Sequence, residues 1–242
     1  MAGTAVQRAR NPQDKLARRE AILEVAARVL SRSQFARVTM AQIAEHCGLA
    51  KGTLYLYFAT KEELFLATLE DELAAWFDEL GRELLGRGSL TATEFADTVV
   101  TSLGARERLA DLLPLLHTVL EHNIAPEVAL RFKRMLVGKL EAGGALAESV
   151  LVGLPRGRGI DLLLRTHALV VGLRQMADPP PALREVLARE ELAPLRVDFA
   201  ATLADSLAAL TQGMLEVRAT SPSLPSPSTA RTPRAPAAPR RP

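Results

Sequence analysis

Apolar positions along the chain recur at three- and four-residue spacing, and strict alternation is scarce, so the pattern predicts an all-α protein. A first helix is expected from about Asp14 to Arg32, with Ile22, Ala26, Val29 and Leu30 on one face. The next start signal is fuller. Thr39 can cap a helix, Gln42 sits at the reciprocal capping-box position, and Val38 can staple onto Ile43. That helix must be short, because Gly48 can take the left-handed conformation that ends it. A third helix covers about Lys51 to Phe58. Thr60 with Glu63 reads as another capping box, opening a long fourth helix toward Leu85, and Gly86 and Gly88 break the chain after it. Leu90, Thr91, Glu94 and Phe95 repeat the box and staple. Further helices are expected over 92–103, 106–122, 126–152, 160–177 and 194–217, with a short one over 182–190. Pro114, the Gly143–Gly144 pair and the Pro179–Pro181 run mark kinks or breaks. Residues 1–12 read as a flexible arm. Residues 219–242 hold seven of the fifteen prolines, cannot bury a core, and read as disordered.

Composition narrows the class without naming it. With 48% hydrophobic and 24% charged residues in 242, the chain has the balance of a globular protein, not a disordered one. No apolar run approaches the roughly 20 residues of a membrane-spanning helix. The N-terminus lacks a secretory apolar core, so a cytoplasmic, nucleoid-associated protein is expected. A lone cysteine, Cys47, excludes an intrachain disulfide and a multi-cysteine zinc site. The net charge of +2 conceals an uneven distribution: +6 over residues 1–61, −8 over 62–218 and +4 over 219–242. A basic N-terminal part joined to an acidic one suits a polyanion-binding head on a body that avoids polyanions. Five of the ten aromatic residues (Phe35, Tyr55, Tyr57, Phe58 and Phe65) fall within the same head or at its border.

The stretch from Val38 to Phe58 carries the most specific signal. A capped short helix, a glycine turn and a second short helix make a helix-turn-helix, whose second helix enters the DNA major groove. Ile43, Ala44, Leu49, Leu54 and Phe58 have the spacing to pack the two helices together. Lys51, Gly52, Thr53, Tyr55, Leu56 and Tyr57 are left pointing outward. Lys51 and Lys61 can neutralise phosphates, and the hydroxyls of Thr39 and Thr53 can reach phosphate oxygens. A plain helical hairpin does not explain that outward set.

Helix one, Phe35, Thr39, Ile43-Ala44, Gly48-Leu49, Gly52-Thr53-Leu54-Tyr55, Tyr57-Phe58 and Lys61-Glu62-Glu63-Leu64 together resemble the TetR family of transcriptional regulators. The resemblance covers about residues 14–66. It implies a three-helix DNA-binding domain over 13–61, a helical effector-binding and dimerisation domain over 62–218, and a homodimer on a palindromic double-stranded operator. It further implies phosphate contacts from Tyr55, Tyr57, Lys61 and Thr39, and base or groove contacts from Lys51, Gly52, Thr53 and Leu56. Leu56 departs from the tyrosine or tryptophan often found at its position. Gln42 can pair with adenine or serve its capping box.

In the larger part, a mainly apolar pocket for a small, largely hydrophobic effector is expected near Trp76, His117, Glu121, Asn123, His167 and Arg174. Leu163, His167, Val171, Phe199, Leu203, Leu207 and Leu210 form stripes suited to a four-helix dimer interface. The same stripes could instead face their own core. The expected function is a repressor released from DNA by its effector. The alternative is a DNA-binding regulator or architectural protein without ligand control. An enzyme built on His117, Glu121, His122 and His167 lacks a phosphate loop, a nucleophile motif and a full metal set, so no catalysis, metal or cofactor is expected.

Overall fold

The computed structural model describes residues 12–30 and 35–220, and every regular element among them is helical. Of the arm expected over 1–12 and the tail expected over 219–242, residues 1–11 and 221–242 lie outside the described residues, while Pro12 belongs to the first helix and residues 219–220 to the last. Ten α-helices follow in order: α1 (Pro12–Leu30), α2 (Met40–His46), α3 (Lys51–Tyr55), α4 (Lys61–Arg87), α5 (Ala92–Gly104), α6 (Glu107–Leu112), α7 (Pro126–Val150), α8 (Arg158–Ala177), α9 (Pro181–Leu187) and α10 (Phe199–Thr220). Pro12 falls inside α1, where a first-turn proline costs no hydrogen bond. No helix among the described residues is long and apolar enough to cross a membrane.

The head is α1, α2 and α3 packed around Ile22, Ala26, Ile43, Ala44 and Leu54, each nearly or fully buried. α4 leaves the head and becomes the spine of the body. Its first turns are buried almost continuously from Leu64 to Leu69, because they are covered by α1 on one side and by body helices on the other. α7 lies along α4 and α8, while α10 packs on α5 and α8.

Three expectations need correction. The single helix expected over 106–122 is broken. α6 stops at Leu112, a 3-10 turn follows at Leu113–Leu115 and a π-turn at Leu116–Leu120. Pro114 supplies no backbone N–H and its ring forbids the regular ladder, so the chain tightens and then widens around it. The Gly143–Gly144 pair breaks nothing, since α7 runs through it. Instead it lets α8 approach. A Cβ on Gly144 would lie 2.7 Å from the Ile160 nitrogen, and one on Gly159 would lie 2.0 Å from the Gly144 carbonyl oxygen. Finally, α10 begins at Phe199, not at 194. Residues Glu190–Leu195 form a 3-10 segment containing Pro194, and Leu195 is exposed there.

Candidate nucleic-acid interface and effector cavity

The reading helix is held from behind by local chemistry. Thr39 Oγ1 accepts from the Gln42 N–H at 3.3 Å, and Gln42 Oε1 accepts from the Thr39 N–H at 2.9 Å, closing the box that starts α2. Gln42 therefore has its carbonyl oxygen committed to the cap. Gly48 turns the chain at φ +63°, where a side chain would be strained. Behind α3, Leu54 and Phe58 are buried. In front, Lys51, Gly52, Tyr55 and Leu56 are exposed, and Thr53 is half-buried. Lys51 Nζ stands 5.8 Å over the Tyr55 ring, an arrangement that leaves the ammonium on the solvent side of the helix. Leu56 is 78% exposed. An apolar side chain so placed is largely uncovered on the outer side of α3.

Tyr57, expected on that outer face, and Lys61, expected to flank the helix, are turned elsewhere. Tyr57 is half-buried in a cleft with Leu16, Arg19, Val128 and Arg131, at the junction of head and body. Lys61 folds back on the head. Its Nζ donates to the carbonyls of Phe35 at 3.3 Å and Val38 at 3.4 Å and sits 4.4 Å over the Phe35 ring. The ammonium ties down the turn before α2, and its third proton is what remains for a phosphate.

The start of α4 joins this head to the body. Thr60 caps α4 by accepting from the Glu63 N–H at 3.0 Å. The reciprocal arm of the expected box is diverted: the Glu63 carboxylate accepts from the Ala59 N–H and from the Ala125 N–H, both at 3.1 Å. Asn123 completes the latch. Its carbonyl accepts from Thr60 Oγ1 at 2.8 Å, and its side-chain amide donates to Glu62 at 3.2 Å. Asn123 is thus not in the pocket where it was expected. It is the body's grip on the base of α4. A second bridge runs from Arg108 to Glu24 of α1 at 2.9 Å and to Glu72 of α4 at 3.6 Å.

The body encloses a cavity of about 200 Å³ between α4, the 113–120 segment, α7 and α8. Its wall is mostly leucine, with Trp76, Phe77 and Val170. Trp76, His117 and His167 line it. Glu121 and Arg174 do not. Glu121 sits behind the polar edge, bonded to His117 Nδ1 at 3.2 Å and to the Lys133 ammonium. Arg174 is drawn away to Asp111 at 2.9 Å and over the Phe199 ring. Lys133, which no sequence spacing marked, does line the cavity. His117 and His167 meet through their Nε2 atoms at 3.2 Å, so a chain of contacts runs Lys133–Glu121–His117–His167 along one rim. Burial holds the His167 imidazole below its usual value, helped by the charges of His117 and Lys133 and opposed by Glu121. Burial works to raise the Glu121 carboxyl, but its hydrogen bonds from Lys133 and His117 outweigh that and hold it low. Among the described residues no group of three metal-ligating side chains comes together.

The expected dimer stripe is partly turned inward. Leu163, Leu203 and Leu207 are buried in their own subunit, and Val171, Phe199 and Leu210 are half-buried against the same core. The faces left open are Leu164, Ala168, Gly172 and Met176 of α8 and Ala201, Asp205, Ala209 and Gly213 of α10. The leucine stripes set the packing of the helices, and the open faces beside them mix small residues with Leu164, Met176 and Asp205.

Residues 22–68 match the family described as bacterial regulatory proteins, tetR family, and residues 70–218 match the tetracyclin repressor-like C-terminal domain. Among curated proteins, the chain is similar to an uncharacterized HTH-type transcriptional regulator, YerO, of Bacillus subtilis (strain 168). Identity is 38% over 53 residues, which is 22% of this chain and 18% of that protein. The match thus spans less than a fifth of that relative's length. Among solved structures, a TetR transcriptional regulator from Rhodococcus sp. RHA1 superposes with a TM-score of 0.55 at 16% identity, covering 84% of this chain and 97% of that one. A second transcriptional regulator from the same organism gives a TM-score of 0.53 at 20% identity, covering 81% and 96%. At such identities the likeness is one of fold.

Proposed function

The chain belongs to the TetR family of DNA-binding transcriptional regulators, and on that basis we propose that it is a homodimeric repressor released from a palindromic operator by a small, largely apolar effector. The observation that carries this reading is the path from cavity to reading helix. Leu113, Leu116 and His117 form part of the cavity wall, and the same segment ends in the Asn123–Ala125 turn that grips Thr60, Glu62 and Glu63. Five residues separate the end of α3 from the start of α4. A ligand that prefers a shifted 113–120 segment therefore moves the base of α4, and with it the spacing of two reading heads that must match half-sites a whole number of helical turns apart. The irregular 3-10 and π geometry of that segment suits an element with two arrangements.

The open faces of α8 and α10 support the dimer, since small residues such as Ala168, Gly172, Ala209 and Gly213 allow close helix approach. The test is a footprint on the DNA flanking the protein's own gene, followed by a screen for compounds that release it. The reading expects one protected site of two-fold symmetry and at least one compound that abolishes protection. Protection scattered over unrelated sequences, with no compound causing release, would overturn it in favour of an architectural role. Sedimentation of the Gly172→Arg variant as a monomer is expected alongside.

A further inference from the structure

The cavity's polar groups are unevenly available. The Trp76 indole N–H is already spent on Ser102 Oγ at 3.0 Å, and the Thr166 hydroxyl donates to the Leu162 carbonyl at 2.8 Å. The polar groups that face a ligand are then His117, His167 and the Lys133 ammonium, all on one rim, with His117 already bonded through Nδ1 to Glu121 and through Nε2 to His167. The rest of the wall is apolar. A cavity of about 150 Å³ accepts benzene, so about 200 Å³ accepts a single ring with a short substituent. Glu121 is the anion that satisfies Lys133 and His117.

We infer that the effector is a small amphipathic monocarboxylate, its apolar body among the leucines, Trp76 and Phe77 and its carboxylate at the His117–His167–Lys133 rim in competition with Glu121. This rests on the effector reading above. The groups facing His167 are His117 from the π-turn, Lys133 from α7 and Glu121 from the following turn, and α4 contributes only apolar lining at Leu73, Trp76 and Phe77. With Glu121 and Lys133 cancelling and burial favouring the neutral form of His167, an arriving carboxylate brings one uncompensated charge. His167, in the cavity wall, can accept the matching proton, so binding takes up a proton and tightens as pH falls toward the histidine range.

Trp76 is the chain's one tryptophan and lines the cavity, so its fluorescence reports entry directly. Full-length protein is titrated with para-butylbenzoate, para-butylbenzyl alcohol and para-butylbenzylamine. The acid should bind about tenfold more tightly than the alcohol, as a charge-assisted hydrogen bond would give, and the amine more weakly than either. Lys133→Met should abolish the preference for the acid while leaving the alcohol unchanged. Glu121→Gln should strengthen the acid severalfold, because the competing anion is gone, and a residue with only a structural role would not act in that direction. Calorimetry in buffers of different ionisation heat should show roughly one proton taken up with the acid and none with the alcohol. Equal binding of acid and alcohol, or preference for the amine, would overturn the carboxylate assignment and leave the effector cavity standing. No change in Trp76 fluorescence with any of the three would overturn both.

Discussion

Two lysines flank the reading helix, and their surroundings give them different work. Lys51 projects exposed from α3 with its ammonium 5.8 Å over the Tyr55 ring, whereas Lys61 spends two protons on the carbonyls of Phe35 and Val38. Lys51→Ala should therefore weaken operator binding about tenfold and lower the salt-dependence slope by about one, as loss of one phosphate contact does. Its melting temperature should match the parent's. Lys61→Ala should lose about 1 kcal/mol of stability from the lost bonds to the Val38 carbonyl and to the Phe35 carbonyl, which keeps its bond from the Val38 N–H, visible as a lower melting temperature with DNA absent. Equal melting temperatures for the two variants would contradict this division. His167 provides a pH signature. Its folded pKa lies below its ordinary value, so the fold keeps it neutral and the unfolded chain binds the extra proton. Stability from this group is present above the ordinary histidine value, about 6.5, and is lost as pH falls below it. Thermal melts from about pH 7.5 to about pH 5.5 should show a drop that is smaller in His167→Leu. Such residue roles are legible only where the partners are close in sequence. The Thr39–Gln42 box spans three positions and can be read directly. The Glu63–Ala125 and Lys133–Glu121 contacts join separate segments, and nothing in local spacing encodes them.

Glycine has opposite meanings at two places in α7, and substitution separates them. Gly138 faces solvent with nothing within 4 Å of an added Cβ, while Gly144 meets the backbone of Ile160 at 2.7 Å and has Gly159 pressed against its carbonyl. Gly138→Ala should stabilise the protein by about 0.5–1 kcal/mol through reduced unfolded-state freedom. Gly144→Ala should destabilise it by about 1–3 kcal/mol, since the contact is with backbone that cannot rotate away. Chemical denaturation of the two variants measures both, and a stabilised Gly144→Ala would show that α7 and α8 do not cross so closely. From local propensity the Gly143–Gly144 pair reads as a break, because glycine is penalised inside a helix. The crossing with α8 reverses that reading, since only glycine leaves room for the neighbouring backbone. Pro114 carries a true local signal, because a missing N–H acts wherever the residue sits. The leucine stripe of α10 marks a buried face but does not name the surface that covers it. Leu203 and Leu207 face α5 and α8 of their own subunit, where a partner subunit was the expected cover.

Across the whole molecule the charge asymmetry takes on a mechanical meaning. Residues 1–61 are net basic and residues 62–218 net acidic, and ion pairs join described helices of the two stretches, with Arg108 of α6 reaching Glu24 of α1 and Arg19 of α1 standing 4.0 Å from Asp71 of α4. Exposed pairs of this kind add little stability each, so their arrangement matters more than their sum. Two routes thus connect the cavity to the head. One runs through the π-turn to the Asn123–Ala125 latch on α4, the other through α6 and Arg108 to α1. The latch is closer to the reading helix and is bonded at both Thr60 and Glu63, so it should carry most of the coupling. Glu63→Ala removes the carboxylate that holds Ala125 while leaving the cavity wall untouched. An effector should still enter, reported by Trp76, and the variant should still bind operator, but the loss of operator affinity on effector binding should shrink. Coupling free energies in such systems are about 1–3 kcal/mol, so a release of about fiftyfold in the parent should fall to a few-fold in Glu63→Ala. Arg108→Ala should reduce release far less. The experiment is an operator titration by fluorescence anisotropy with and without saturating effector for each protein. If Arg108→Ala abolishes release while Glu63→Ala keeps it, the signal travels through α6 and α1, and the latch is a structural clamp only.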